Sequence, residues 1–342
     1  MCFRFPWCTT GIANGSLACH RGWCWHGRTD RQMLLHTGQP LPQQMVETVR
    51  GWDPHQSTPG WLDEIPTTIA DLCTKWKIEL HHVVPNTYVT LVALGHSDVL
   101  GPVVVKSSAL ADEFRSEATA LQLAAGENVA RVYDLDVERS AMVIERILPG
   151  IQLRDVAIPD DDATRLAAET VATFWREVPD PVNLHPLRRW MQALFDWSPR
   201  PDLIDPDLIQ QAQDLAASLF ARSTRSCLLH GDFQHHNLLQ RSSGDWTIID
   251  PKGVYGDPGF EFAAWMYNPE GVTARTDYLE LATRRVTICS DVWGIDQQTL
   301  VEWAFVGAVL SMCWWNSESG PEDLATHFAL GARQLRRLLG QP

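Results

Sequence analysis

From Gly60 onward, apolar and polar positions alternate regularly enough to name elements. Leu62, Ile65, Ile69, Leu72 and Trp76 recur every three or four residues, the stripe of an amphipathic helix. Residues 77–84 alternate loosely, and residues 88–94 are β-branched and aromatic in character. Gly101-Pro102-Val103-Val104-Val105-Lys106 follows a turn at Gly95-His96-Ser97. This pattern predicts three short antiparallel strands. Leu110, Phe114, Ala118 and Leu121 mark a second helix, and residues 129–134 and 141–147 read as two further strands ending before Pro149-Gly150. Residues 60–150 are therefore expected to form a five-stranded antiparallel sheet with one inserted helix.

After Gly150 the helical period dominates, over about 161–177, 183–197, 207–223, 272–291, 296–315 and 321–339. One β-rich island, Cys227 to Gly256, interrupts it. The expected architecture is α+β: a small sheet-bearing lobe at 60–150 and a larger, mainly helical lobe at 151–342.

The first 59 residues differ from the rest. Residues 1–45 are rich in Trp, Cys, His, Arg and Gly and show no sustained period. The segment 1–59 reads as an atypical leader, either disordered or an upstream extension from a start placed too early, with Met45 and then Met33 as the alternative starts. Four of the eight cysteines (Cys2, Cys8, Cys19, Cys24) fall here beside His20 and His26, but no C-x-x-C pair occurs and the spacing fits no common zinc pattern. Cys73, Cys227, Cys289 and Cys313 stand in apolar surroundings and read as reduced core residues.

Composition narrows the partners. The formal net charge of −14 argues against electrostatic binding to nucleic acid or anionic membranes and fits a cationic small molecule. No apolar run reaches the length of a membrane span, and no signal-peptide core is built, so a cytoplasmic protein is expected, as a monomer or homodimer. Only four residues are lysine: Lys75, Lys77, Lys106 and Lys252.

The chemistry concentrates in the island. His230-Gly231-Asp232 is followed by Asn237 in the pattern H-x-D-x-x-x-x-N, and a hairpin turning at Ser242–Asp245 leads to Asp250. Such a hairpin brings Asn237 and Asp250 to one end, a hard-oxygen pair suited to Mg²⁺ with nucleotide phosphates. Asp232 is placed to accept or orient the proton of an attacking hydroxyl, which is the logic of a kinase-type phosphotransfer site. That logic demands an upstream lysine at a strand end and a carboxylate on the next helix. Lys106 closes the Val-Val-Val run, and Glu117 meets the second demand, with Glu113 as its competitor one turn earlier.

With these residues in place, the chain from Gly60 onward resembles the kinase-like aminoglycoside phosphotransferases. The run Ile249-Asp-Pro-Lys-Gly-Val-Tyr-Gly-Asp-Pro-Gly-Phe-Glu-Phe-Ala-Ala-Trp-Met-Tyr-Asn-Pro269 is similar to the streptomycin 6-kinase and hydroxyurea phosphotransferase branch. Arg115-Ser116-Glu117 and Glu145-Arg146-Ile147-Leu148-Pro149-Gly150 resemble it too. The resemblance implies a protein-kinase-like two-lobe fold, ATP with GTP left open, Mg²⁺, and phosphorylation of an antibiotic hydroxyl. It makes Asp232 the catalytic aspartate, Asn237 and Asp250 the metal ligands, and Lys106 and Glu117 the phosphate clamp. It makes Val143–Arg146, including Glu145 and Arg146, the segment against adenine, and puts Asn86 and Thr87 in the place of the phosphate-covering loop. That loop has no glycine.

Two positions depart from the branch: Gln234 stands where histidine is usual, and Glu261 where aspartate is frequent. They bear on acceptor recognition rather than phosphotransfer. The expected acceptor contacts are Asp232, His235, Glu261, Trp265 and Glu318, with Glu322, Trp314 and Trp315 behind them, since carboxylates and indoles suit a guanidinium or amino sugar. The expected activity is O-phosphorylation of a streptomycin-type aminoglycoside. A same-fold kinase for hydroxyurea or another metabolite is the alternative, and a non-catalytic nucleotide binder the minor one.

Overall fold

The computed structural model describes residues 33–51, 58–125, 128–197, 205–315 and 322–340. The chain divides into two compact units, with the divisions between Phe114 and Arg115 inside a helix, between Val132 and Tyr133 at the start of a strand, and between Arg146 and Ile147.

The first unit holds α1 (Gln43–Gly51), α2 (Trp61–Trp76), β1 (Ile78–Val83), β2 (Thr90–Ser97), β3 (Gly101–Ser108), the start of α3 (Ala111–Leu123), β4 (Val132–Asp136) and β5 (Ala141–Glu145). The strands form one five-stranded sheet in the order β1-β2-β3-β5-β4. Of the stripe, α2 buries Ile65, Ile69 and Leu72, while Leu62 and Trp76 are half-buried; Trp61, outside the stripe, is buried too, and its indole donates to the Ser107 hydroxyl at 3.0 Å. Lys106 lies on β3 opposite Val92 on one side and Met142 on the other.

The leader boundary moves. Leu35, Leu41, Met45 and Val49 are buried in the same core cluster as α2 and the sheet. The backbone ahead of α1 is closed by the Leu41 N–H on the Met33 carbonyl and the Leu35 N–H on the Gln39 carbonyl, both 2.9 Å. The core of this unit therefore begins well before residue 60. Its apolar residues pack from a turn and a short helix, which have too few periods to register as a pattern. The Cys2, Cys8, Cys19, Cys24, His20 and His26 cluster lies outside the described residues.

The second unit takes up most of α3 and everything from Ile147 onward. Its elements are β6 (Pro149–Gln152), α4 (Asp160–Ala172), β7 (His185–Pro186), α5 (Leu187–Trp190), α6 (Gln192–Phe195), α7 (Pro206–Arg222), β8 (Cys227–Leu229), β9 (Leu238–Arg241), β10 (Trp246–Ile248), β11 (Val254–Gly256), α8 (Phe262–Met266), α9 (Tyr278–Trp293), α10 (Gln297–Trp315) and α11 (Glu322–Leu338). Two small sheets, β10-β9-β6 and β7-β11-β8, sit among the helices. Asp205 caps α7 by accepting the Asp207 N–H at 3.0 Å, with Pro206 at the first helical position. Helix α10 buries Leu300, Trp303, Ala304, Phe305, Val306 and Val309, residues on every side of it, as expected of a helix at the centre of a core. No described helix is long and apolar enough to cross a membrane.

The helix expected over 183–197 is broken. His185–Pro186 instead pairs in parallel with β11, and two single turns follow. The helix expected from 272 starts at Tyr278, after a 3-10 turn.

Candidate active site

The candidate site is built in the second unit. Strand β8, buried throughout, delivers His230-Gly231-Asp232. Gly231 turns the chain with φ +83°, and an added Cβ would run into the Val254 side chain, so this bend is reserved for glycine. The His230 ring is fully buried, with Nε2 at 2.9 Å from the Ile249 carbonyl and Nδ1 accepting the Asp232 N–H at 3.2 Å. One nitrogen donates and the other accepts, which requires the neutral ring. Burial pushes its pKa down to about 3.

Glu261 braces the same turn from below. Its carboxylate accepts the His230 N–H at 2.7 Å and the Gly231 N–H at 2.9 Å, and the Trp175 indole N–H lies at 3.3 Å. It is 1% exposed, and burial pushes its carboxyl up to about 7 against the pull of those donors. The expected acceptor contact at Glu261 is thus corrected: its oxygens are committed to the backbone of the loop. Trp265 is corrected in the same way. It is 2% exposed, its indole donates to the Thr164 hydroxyl at 3.1 Å, and the buried Arg285 guanidinium lies 5.6 Å from its ring. His235 is buried as well, and its ring stacks on Trp265 at 3.7 Å and 10°.

Asp232 is half-buried by area but enclosed by protein atoms. Burial pushes its carboxyl up to about 6, opposed by the charge of Lys252. Gln234, the residue in the usual histidine place, donates from Nε2 to Asp232 Oδ1 at 2.8 Å. Asn237 donates from Nδ2 to the Asp232 carbonyl at 2.9 Å, which turns its Oδ1 into the remaining acceptor. The hairpin is as expected: β9 and β10 pair antiparallel, and the Ile249 N–H bonds the Asn237 carbonyl at 3.0 Å, bringing Asn237 and the Asp250 segment to one end. Asp250 lies two residues beyond the strand, at φ +58°. Its Oδ2 accepts from Lys252 Nζ at 2.6 Å.

The metal loop is tied to α3. The Ser116 hydroxyl reaches the Lys252 carbonyl at 2.5 Å and the Gly253 carbonyl at 3.0 Å. Gly253 has φ +64°, and a Cβ there would collide with the Ser116 backbone. Glu117, the next residue of α3, is buried, while Glu113 is half-buried. Lys106 belongs to the other unit and is buried there. In that unit Asn86 is exposed, and Thr87 is buried with no hydrogen-bond partner for its hydroxyl. Glu145 and Arg146 are half-buried, the latter with its N–H on the Pro102 carbonyl at 3.2 Å. Glu318 lies outside the described residues, as do the side chains of Trp315 and Glu322, and Trp314 is half-buried.

The donor set fits a hard divalent ion that takes most of its shell from elsewhere. Among the described residues no cluster of three His, Cys, Asp or Glu side chains could hold a metal. Asp250 and Asn237 supply oxygen only, which suits an ion completed by phosphate and water oxygens. Sequence reading missed the Ser116 tie and the Lys252–Asp250 pair. The scarcity of lysine was the available signal for the second.

The chain is similar to several known proteins. The chain is 29% identical over 221 residues to a streptomycin 3''-kinase of Klebsiella pneumoniae, covering 63% of this chain and 80% of that one. It is 25% identical over 290 residues to a streptomycin 6-kinase of Streptomyces glaucescens, covering 81% and 91%. The crystal structure of the aminoglycoside phosphotransferase APH(4)-Ia superposes with a TM-score of 0.56 at 14% identity, covering 80% and 98%, and shares the protein-kinase-like fold. Residues 75–320 match the family described as "Aminoglycoside/hydroxyurea antibiotic resistance kinase", and the chain belongs to that family of small-molecule phosphotransferases.

Proposed function

We propose that this chain transfers the γ-phosphoryl group of ATP to a hydroxyl of a streptomycin-type aminoglycoside. The observation that carries the reading is the loop in which Gln234 and Asn237 bond Asp232, with the hairpin bringing the Asp250 segment to the Asn237 end. The new bond joins the acceptor oxygen to the γ-phosphorus as the bond to the β,γ-bridging oxygen breaks, and ADP leaves. Asp232 orients the acceptor hydroxyl and receives its proton, with Gln234 holding Oδ1 in place. Asn237 and Asp250 would hold Mg²⁺, which neutralises charge on the phosphates when bound. Lys106, Glu117, Thr87, Asn86 and the 143–146 segment are assigned to the nucleotide, with GTP left open. Of the expected acceptor contacts Asp232 is kept; His235 is buried against Trp265, and Glu318 lies outside the described residues. A cytoplasmic site of action fits a protein that consumes ATP.

The test is nucleotide consumption with streptomycin, other aminoglycosides and hydroxyurea in parallel. Turnover with streptomycin and phosphate on a sugar or streptidine hydroxyl is the expected result. ATP binding without turnover of any of them would overturn the acceptor assignment. The second reading, a hydroxyurea or other small-molecule kinase, is favoured by one observation: Glu261 and Trp265 are buried with their polar atoms bonded within the protein, which removes two of the groups expected to select a large cation.

A further inference from the structure

We propose that Trp265 is a positioning residue for phosphoryl transfer: its indole is the surface on which the catalytic loop rests two rings, and by seating them it turns Gln234 onto Asp232. The inference rests on the phosphotransfer reading above, and every residue it uses lies in the second unit.

Gln234 has extended backbone, with φ −150° and ψ 168°. Side chains alternate along extended backbone, so residues 233 and 235 face one way and residue 234 the other. The rings follow that rule. Phe233 and His235 both stack on Trp265, with centroids 5.9 Å and 3.7 Å away and planes at 23° and 10°. Gln234, between them, sends its Nε2 donor to Asp232 Oδ1 at 2.8 Å, and its carbonyl accepts the Asn237 N–H at 2.9 Å. All three side chains are buried, so close packing holds the alternation in place. Unseating the rings swings Gln234 away from Oδ1.

Trp265 is itself held from behind. Its indole N–H donates to the buried Thr164 hydroxyl at 3.1 Å, which fixes the plane of the ring as no apolar side chain of similar size would be fixed. Its carbonyl accepts Arg285 Nη1 at 2.7 Å. The same nitrogen reaches the Asn268 carbonyl at 2.8 Å, and Nε and Nη2 take the two Asp160 oxygens at 2.9 Å and 2.6 Å. Arg285 is wholly buried, and a buried charge is tolerated where it is paired and bonded in this way. Asp160 and Thr164 lie one turn apart on α4, so α4 and α9 together grip one residue of α8. Glu261 lies one turn before Trp265 on the same helical run and holds the backbone of His230 and Gly231. That turn therefore sets both halves of the loop, Glu261 the bend before Asp232 and Trp265 the rings after it.

The experiment is a double-mutant cycle on kcat, with the full chain, ATP and the acceptor turned over in the parallel assay above. Gln234→Ala and Trp265→Leu should each lower kcat, by up to about 100-fold, the scale of displacing a reacting group by about 1 Å. KM for ATP should stay at the wild-type value. Because both residues act on Asp232 by one route, the double variant should lose no more than the worse single variant. Trp265→Phe keeps a ring under Phe233 and His235 and should restore most of kcat. If Trp265→Leu does not fold, Phe233→Leu takes its place in the cycle with the same expected outcome. Losses that multiply in the double variant, as for two independent residues, would overturn this inference alone, as would wild-type kcat in either single variant. A wild type that binds ATP and phosphorylates no acceptor would overturn the phosphotransfer reading and this inference with it.

Discussion

Glu261 accepts the backbone N–H of His230 at 2.7 Å, and through that bond a fully buried carboxylate sets the turn that presents Asp232. The neighbouring Gly231 N–H, at 2.9 Å, occupies the other oxygen. A glutamine in its place has one oxygen and an NH₂ group facing a second donor. Glu261→Gln should therefore orphan one backbone N–H and cost about 1–3 kcal/mol. Thermal melting should fall by several degrees and kcat should fall with it. Unchanged melting and an altered KM for the acceptor alone would return Glu261 to the acceptor pocket.

Asp232 has its carboxyl pushed up to about 6 by burial. A base works ionised, so kcat/KM should rise tenfold per pH unit below about 6 and level off above it. The sign follows from the raised pKa: acidification protonates Asp232 before it would an exposed aspartate. Asp232→Ala should remove this limb and abolish transfer, a loss of at least about 100-fold, while nucleotide binding measured by fluorescence or calorimetry stays close to wild type. Full activity in the alanine variant would refute the role of Asp232.

The loop and hairpin were legible because their chemistry is local. Asp232, Asn237 and Asp250 lie in one run of sequence, and hairpin pairing alone brings the last two to the same end. Glu261 and Trp265 were misread for a shared reason. A sequence displays a carboxylate or an indole but not what surrounds it, and the partners here are backbone N–H groups and a distant threonine. The Ser116 tie was invisible for the same cause, since its acceptors are main-chain carbonyls more than a hundred residues away. Pro186 marks the place where the helical period of 183–197 misled: that segment pairs with β11 before it turns helical.

Gly253 tests the tie between α3 and the metal loop. Its φ of +64° is a conformation that costs an L-residue about 1–2 kcal/mol. Beyond that, a Cβ would strike the Ser116 backbone, which belongs to a helix and yields little. Gly253→Ala should lose activity out of proportion to stability, because the displaced segment carries Asp250 and Lys252. Gly244→Ala is the control. It has φ +93° in the hairpin turn and nothing within 4 Å of the added carbon, so it should cost stability alone. Equal kcat in the two variants would show that the Ser116 contact does not position the loop.

The segment before α2 gives the last prediction. Leu35 and Leu41 are buried with Met45 and Val49 against α2 and the sheet. A chain beginning at Met45 loses both leucines and the first two residues of α1, Gln43 and Gln44. Full burial of one leucine is worth about 1.5–3 kcal/mol, so the two together are a large share of the stability of an ordinary domain. The Met45 form should melt well below the full chain or fail to accumulate as folded protein. A chain beginning at Met33 keeps the turn from Leu35 to Gln39 and should melt close to the full chain. Leu41→Ala in the full chain isolates one of the two contacts and should cost about 2–5 kcal/mol. Equal melting of the Met45 and Met33 forms would mean that the turn and α1 pack on the sheet without stabilising it, and residues 33–44 would then be a leader after all.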